Sequence, residues 1–299
     1  MPPDHHIARP RRSVLYMPAS NIRAIDKART LPADAVVFDL EDAVAPAAKP
    51  QARENLIAAF AQGGFGQRET VIRTNSIGGA DFQLDLQTIA RCKPDAVLLP
   101  KVSSVAQVQT FNQDAAALGL PAGLQAWFMI ETVPGLVDLA AIVRTGVNSQ
   151  FPLTCLAVGT NDIAKDTGVS TGNQRQYLVP WLMNIVLHAK AAGVVVLDGV
   201  WNDFKNTSGF DAEALQSVAM GFDGKTLIHP SQIESANRLF SPDPAQVAQA
   251  RKIVAAFELP EHAHAGVINL DGEMVERLHL AQAQALLALA GRIDTLASH

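Results

Sequence analysis

Leu124-Gln125-Ala126-Trp127-Phe128-Met129-Ile130-Glu131-Thr132 and Thr154-Cys155-Leu156-Ala157-Val158-Gly159-Thr160-Asn161-Asp162 are apolar runs that each end with a lone carboxylate. A short run that is apolar at nearly every position reads as a strand buried on both faces, the signature of a parallel sheet. An acid just past its end points into a site rather than a core. Outward from these two, the same kind of run recurs along the chain: Val14 to Met17, Ala35 to Leu40, Val71 to Thr74, Ala96 to Leu99, Val194 to Leu197 and Lys225 to Ile228. Helical spacing lies between them, as in Ser103 to Leu118 with apolar Val105, Val108, Phe111, Ala115 and Leu118, and in Leu178 to Ala192. Alternating strand and helix means parallel strands with right-handed crossovers. Eight such units fit an α/β chain closed as a (β/α)8 TIM barrel. An open doubly wound sheet is the alternative, although no Gly-x-Gly-x-x-Gly follows the first run.

The barrel is expected over residues 1–240, with 241–299 as a C-terminal helical extension. Ser241-Pro242-Asp243-Pro244 breaks the chain and caps a helix from about Ala245 to Glu258. A second amphipathic helix is expected from Gly272 to Leu296, the pair forming a lid, an oligomer arm or both. Cys92 and Cys155 sit in or beside apolar segments, as reduced buried thiols do. The start of the chain shows no apolar signal region and no run reaches the length of a membrane span, so a cytoplasmic protein with no membrane contact is expected. His5-His6 has no third partner nearby and reads as a disordered terminus. A net charge of -5 argues against nucleic acid as a partner. An anionic ligand must therefore meet a local basic cluster; Arg9, Arg11, Arg12, Arg23, Lys27 and Arg29 form the one concentration.

In a barrel, function gathers at the C-terminal ends of the strands. There the sequence places Asp39, Glu41 and Asp42, then Arg73 and Asn75, Lys101, Glu131, Asn161 and Asp162, Asp198, and His229. A single acid in such a place can be a helix cap or a rim ion pair, but the whole ring reads as one polar mouth. Glu131 and Asp162 are hard oxygen ligands of the kind Mg2+ or Mn2+ takes, with water and substrate oxygens completing the shell. Arg73 can hold a carboxylate or a developing enolate oxygen, or pair with Glu41 or Asp42. Lys101 offers a Schiff base or, with acids beside it, a protonated contact to phosphate or carboxylate. His229 is a general acid–base candidate or a histidine hydrogen-bonded at a helix start.

These residues carry a resemblance along nearly the whole chain. Arg11-Arg12-Ser13-Val14-Leu15 with Pro18, Val37 to Val44, Ile72-Arg73-Thr74-Asn75, Leu99-Pro100-Lys101, Met129-Ile130-Glu131, Gly159 to Asp162, Gly221 to Lys225 and Ile228 to Ile233 resemble, in order and separation, the citrate lyase beta-subunit and malyl-CoA (citramalyl-CoA) lyase family of the HpcH/HpaI aldolase superfamily. The resemblance implies a Mg2+-dependent carbon–carbon lyase that cleaves or forms a 3-hydroxyacyl-CoA ester, with acetyl-CoA and a 2-keto acid as partners. It implies Glu131 and Asp162 on the metal, Arg73 on the keto-acid or enolate oxygen, and Glu41 ordering the site. Asp39, Asp42, Lys101, Gly159, Thr160 and Asn161 are then expected to line the substrate, and Arg11, Arg12 and Pro18 to lie near the CoA nucleotide. The family's base is an Asp after Gly-x-Met-[Ile/Val] in a lid from a neighbouring subunit of a trimer or hexamer. Here that position holds Glu276, in Gly272-Glu273-Met274-Val275-Glu276, with Asp271 as a possible substitute. Ala19 and Asn161 are smaller departures, from a common Gly and a frequent acid. The open alternatives are a citrate lyase beta subunit working with an acyl carrier protein and an alpha subunit, a malyl-CoA-type thioesterase, and a catalytically silent ligand-binding homologue.

Overall fold

A computed structural model describes residues 9–262 and 264–297; His5 and His6 lie outside them. The eight runs form strands β1 (Ser13–Pro18), β2 (Ala35–Asp39), β3 (Glu69–Arg73), β4 (Ala96–Leu99), β5 (Gln125–Ile130), β6 (Leu153–Val158), β7 (Val195–Asp198) and β8 (Gly224–Leu227). All pair in parallel with their sequence neighbours, and β8 returns to β1, which closes the barrel. Every C-terminal strand end therefore opens on one face.

Strand alternation divides the side chains between two layers. Val14, Val37, Val71, Leu98, Trp127, Ala157 and Leu197 pack together in one buried core cluster. Trp127 is wholly buried there among the small Ala35, Ala96, Cys155 and Ala157, so one large ring fills space that small neighbours leave. Below it, at the N-terminal end, Arg11 closes the barrel. Its guanidinium donates twice to Glu69 at 2.7 Å, to Gln125 Oε1 at 3.1 Å and to the Thr154 carbonyl at 3.2 Å, and lies 4.6 Å from the Trp127 ring centre.

Contacts group Arg11–Arg238 in one unit and the chain from Leu239 onward in another. In the second unit Asp243 and Gln246 form the capping box of helix Pro244–Phe257, as the Pro-rich break implied. The expected helix from Gly272 is corrected. Val267–Leu270 (β9) and Glu273–Glu276 (β10) form an antiparallel hairpin, and the helix begins only at Arg277. Asp271 and Gly272 both take positive φ, 53° and 90°, the backbone of a tight two-residue turn. Ile268 and Val275 face each other across the hairpin and pack on Phe257. Among the described residues, no helix is long and apolar enough to cross a membrane.

Candidate metal and substrate site

Strand register builds the first half of the site. Asp39 ends β2 directly opposite Arg73, which ends β3. Arg73 donates through Nε to Asp39 Oδ1 at 2.7 Å and through Nη2 to Oδ2 at 2.6 Å, a bidentate fork. Asp39 also accepts the backbone N–H groups of Glu41 at 2.9 Å and Ala43 at 3.0 Å. It is fully buried and committed on both oxygens, so it touches Arg73 and the loop rather than a ligand, which corrects its expected place on the substrate. Burial disfavours the Arg73 cation, but the hydrogen bonds and charge of Asp39 more than offset this and raise its pKa. The guanidinium lies 4.9 Å from the Tyr16 ring centre, and its Nη1 is 3.1 Å from Glu41 Oε2.

The second half is a group of acids. Glu131, just past β5, is 1% exposed and accepts the Lys101 backbone N–H on Oε1 at 2.8 Å. The end of β6 closes on it so tightly that a Cβ on Gly159 would lie 2.4 Å from Glu131 Oε2. Burial and then the charge of Glu41 push the Glu131 carboxyl up to about 8, with Asp162 adding in the same direction and the Lys101 N–H and Arg73 opposing. Asp162 stands in the first turn of helix Thr160–Thr167 and accepts no hydrogen bond among the described residues. Lys101 Nζ is 2.6 Å from Glu41 Oε1 and 3.4 Å from Asp42, so the acids hold it as an ammonium. That state excludes the Schiff-base role.

A divalent cation fits this arrangement. Arg73 and Lys101 balance Asp39 and Glu41, whereas among the described residues Glu131 and Asp162 form no ion pair. Among the described residues the buried Glu41 Oε2 has no aligned hydrogen bond, and the hydrogen bond to Glu131 falls on Oε1. Among the described residues no cluster of three or more His, Cys, Asp or Glu encloses a metal. Two carboxylates with other oxygens from water and substrate is how Mg2+ is commonly held, and Mn2+ accepts the same donors.

Several expected residues lie elsewhere. Arg11 and Arg12 do not reach the mouth. Arg11 closes the opposite end of the barrel on Glu69, and Arg12 pairs with Asp34 at 2.8 Å, because both precede β1 rather than follow it. Asp198 points outward from β7, where Arg175, Lys225 and Ser217 bind it within 2.9 Å. Burial alone would raise its pKa, but the two cations hold it well below the usual carboxylate range. His229 accepts the Ser231 N–H, stacks on Phe204 at 4.5 Å, and so takes the capping role. Asn161 exchanges amide hydrogen bonds with Asn202 at 2.9 and 3.2 Å. Thr160 is buried against Gly199, where a Cβ would come within 2.5 Å of its hydroxyl. Pro18 ends β1 at the mouth, and Asp42 stands at its exposed edge.

Asp271 and Glu276 belong to the C-terminal unit, in the turn and at the end of its hairpin. The Glu276 N–H donates to His279 Nδ1 at 2.9 Å, and Asp271 is 3.5 Å from Lys252. Sequence reasoning missed Tyr16 and Met129, whose hydroxyl and sulfur lie 3.9 Å apart beside Arg73. Their inward parity with Val14 and Trp127 was the available signal.

Residues 12–230 match the model of the family described as HpcH/HpaI aldolase/citrate lyase. A (3S)-malyl-CoA thioesterase from Cereibacter sphaeroides is 42% identical, across 96% of this chain and 97% of that protein. The mitochondrial citramalyl-CoA lyase of Homo sapiens is 31% identical, across 97% of this chain and 88% of the relative. Among solved structures, CitE from Mycobacterium tuberculosis in complex with magnesium, acetoacetate and coenzyme A superposes with a TM-score of 0.73 at 31% identity, covering 95% of this chain and 98% of that one. The chain belongs to the HpcH/HpaI aldolase/citrate lyase family.

Proposed function

We propose that the barrel mouth takes the acid end of a malyl-CoA-type thioester beside Mg2+ held by Glu131 and Asp162, and that the thioester is hydrolysed to the hydroxy diacid and CoA. The observation that carries this reading is that, among the described residues, Glu131 and Asp162 pair with no cation while Asp39 and Glu41 beside them do. The resemblance read from motifs put carbon–carbon cleavage first. The 42% identity with a malyl-CoA thioesterase over almost the full length of both proteins puts hydrolysis ahead of it.

Bound Mg2+ supplies Lewis-acid polarisation of the substrate oxygens. Arg73, held by Asp39 on its Nε and Nη2 side, presents its Nη1 edge to a substrate carboxylate or carbonyl oxygen. Asp39 fixes the angle of that fork, and Glu41 bridges Arg73 to Lys101. In hydrolysis a water oxygen bonds to the thioester carbon, the carbon–sulfur bond breaks, and the thiolate takes up a proton. The resemblance gives the proton of that water to the lid of a neighbouring subunit, where Glu276 stands at the family's base position with Asp271 as the substitute.

A second reading, carbon–carbon cleavage, is favoured by the likeness to citramalyl-CoA lyase. There the hydroxyl proton leaves, the carbon–carbon bond breaks, and the departing thioester enolate is protonated to acetyl-CoA beside a 2-keto acid. Incubation of the protein with (3S)-malyl-CoA and Mg2+ separates the two. Hydrolysis releases one free thiol per ester consumed and no glyoxylate; cleavage releases acetyl-CoA and glyoxylate with no free thiol. Neither product, or full turnover in excess EDTA, would refute the proposed chemistry.

A further inference from the structure

We propose that Lys101 is a positioning residue, placing Glu131 through its backbone N–H and Glu41 through its ammonium group. The inference rests on the metal reading above and assigns that site its organising side chain. Lys101 has φ 53°, a left-handed backbone that a residue with a Cβ adopts at a cost. This conformation turns its N–H onto Glu131 Oε1 at 2.8 Å while the side chain leaves in another direction, toward the loop after β2.

The surrounding contacts hold the turn in place. Ser103 Oγ donates to the Lys101 carbonyl at 2.8 Å and lies 2.7 Å from Thr132 Oγ1, and Thr132 in turn accepts the Gly135 N–H. Gly135 packs so close that a Cβ there would sit 2.4 Å from the Val102 carbonyl oxygen. The loops after β4 and β5 are thus fastened together around the Lys101–Glu131 hydrogen bond. At the other end, the ammonium donates to Glu41 Oε1 at 2.6 Å and lies 3.4 Å from both oxygens of Asp42, which share a second donor. One residue therefore spans the loops after β2, β4 and β5 and fixes two of the acids that surround the metal position.

Direct Mn2+ binding, measured by electron paramagnetic resonance on the full chain, gives a readout apart from turnover. Wild-type protein is measured first; if it does not bind Mn2+, the metal reading itself fails. If it binds, Lys101→Met, which removes the ammonium, is expected to weaken Mn2+ about 10-fold to 100-fold, the usual effect of losing a group that orients metal ligands. The same variant is expected to lower kcat while leaving KM for the thioester within about twofold, and Lys101→Arg is expected to recover most of both losses. Should Lys101→Met not fold, Lys101→Gly carries the same test, because glycine keeps the N–H and adopts the left-handed turn without strain. Unchanged Mn2+ affinity in the ammonium-free variant, or a rise in KM at constant kcat, overturns the inference while leaving the metal reading intact.

Discussion

Gly159→Ala pushes a methyl group into Glu131. The added carbon would lie 2.4 Å from Glu131 Oε2 and 2.5 Å from its Cβ. Ordinary contact needs about 3.5 Å, so one partner must retreat by about 1 Å. Glu131 has little room to do so, since its Oε1 is tied to the Lys101 N–H and the residue is buried. Because Glu131 Cβ is as close as its carboxylate, a rotamer change does not relieve the overlap. The strain should cost about 1–3 kcal/mol of stability, as overpacked sites do. A carboxylate misplaced by an ångström should lower turnover of the thioester roughly 10^2-fold. The assay pairs steady-state release of thiol or acetyl-CoA with Mn2+ affinity and urea unfolding, using Gly123→Ala as control because a Cβ at Gly123 meets nothing within 4 Å. If Gly159→Ala retained wild-type turnover and Mn2+ affinity within twofold, the close approach of β6 to Glu131 would not be what sets the site.

Arg11→Ala is expected to destabilise the chain by about 3–5 kcal/mol in urea, because Glu69 is left buried without its partner, while KM for a CoA ester stays unchanged; a selective rise in KM would return Arg11 to the nucleotide. Asp198→Ala should cost a similar amount, since it strands Arg175 and Lys225 beneath the helices. With its folded pKa depressed, Asp198 stabilises wild-type protein above about pH 4 and ceases to do so as pH falls further, so acid unfolding should set in at higher pH in the variant. Glu131 behaves in the opposite sense. Its folded value of about 8 lies above the unfolded one, so metal-free stability should fall as pH rises from about 5 to 8. Glu131→Gln in EDTA should remove that slope and gain on the order of 1–3 kcal/mol at pH 8, read by urea titration across pH. An unchanged slope would mean that Glu131 ionises as an ordinary surface acid.

The barrel was legible because a parallel strand buried on both faces leaves a continuous apolar run, and β4 matches its expected bounds of Ala96 to Leu99. The hairpin was not, because Met274, Val275, Leu278 and Leu280 also satisfy a helical period. The Asp271-Gly272 pair between Val267–Leu270 and Glu273–Glu276 was the stronger signal, as both residues take left-handed φ. In the site, strand-end position identified Glu41, Arg73, Lys101 and Glu131 because consecutive parallel strands bring their ends together. Position alone does not give direction. Asp198 ends β7 as Asp39 ends β2, yet one step of strand parity turns it outward to Lys225. Arg11 and Arg12, which the resemblance put near the nucleotide, precede β1 and so lie at the opposite end from residues that follow a strand. The commitment of Asp39 to Arg73 rather than to ligand depends on β2–β3 register, which no single run encodes.

Glu131 and Asp162 are proposed to hold the divalent ion together. Anomalous diffraction from crystals grown with Mn2+ and a 2-keto acid tests this directly. An ion with oxygens of both Glu131 and Asp162 within about 2.5 Å, and the keto acid within reach of Arg73, is the expected result. An ion bound elsewhere, or at the mouth without either carboxylate, would contradict the account.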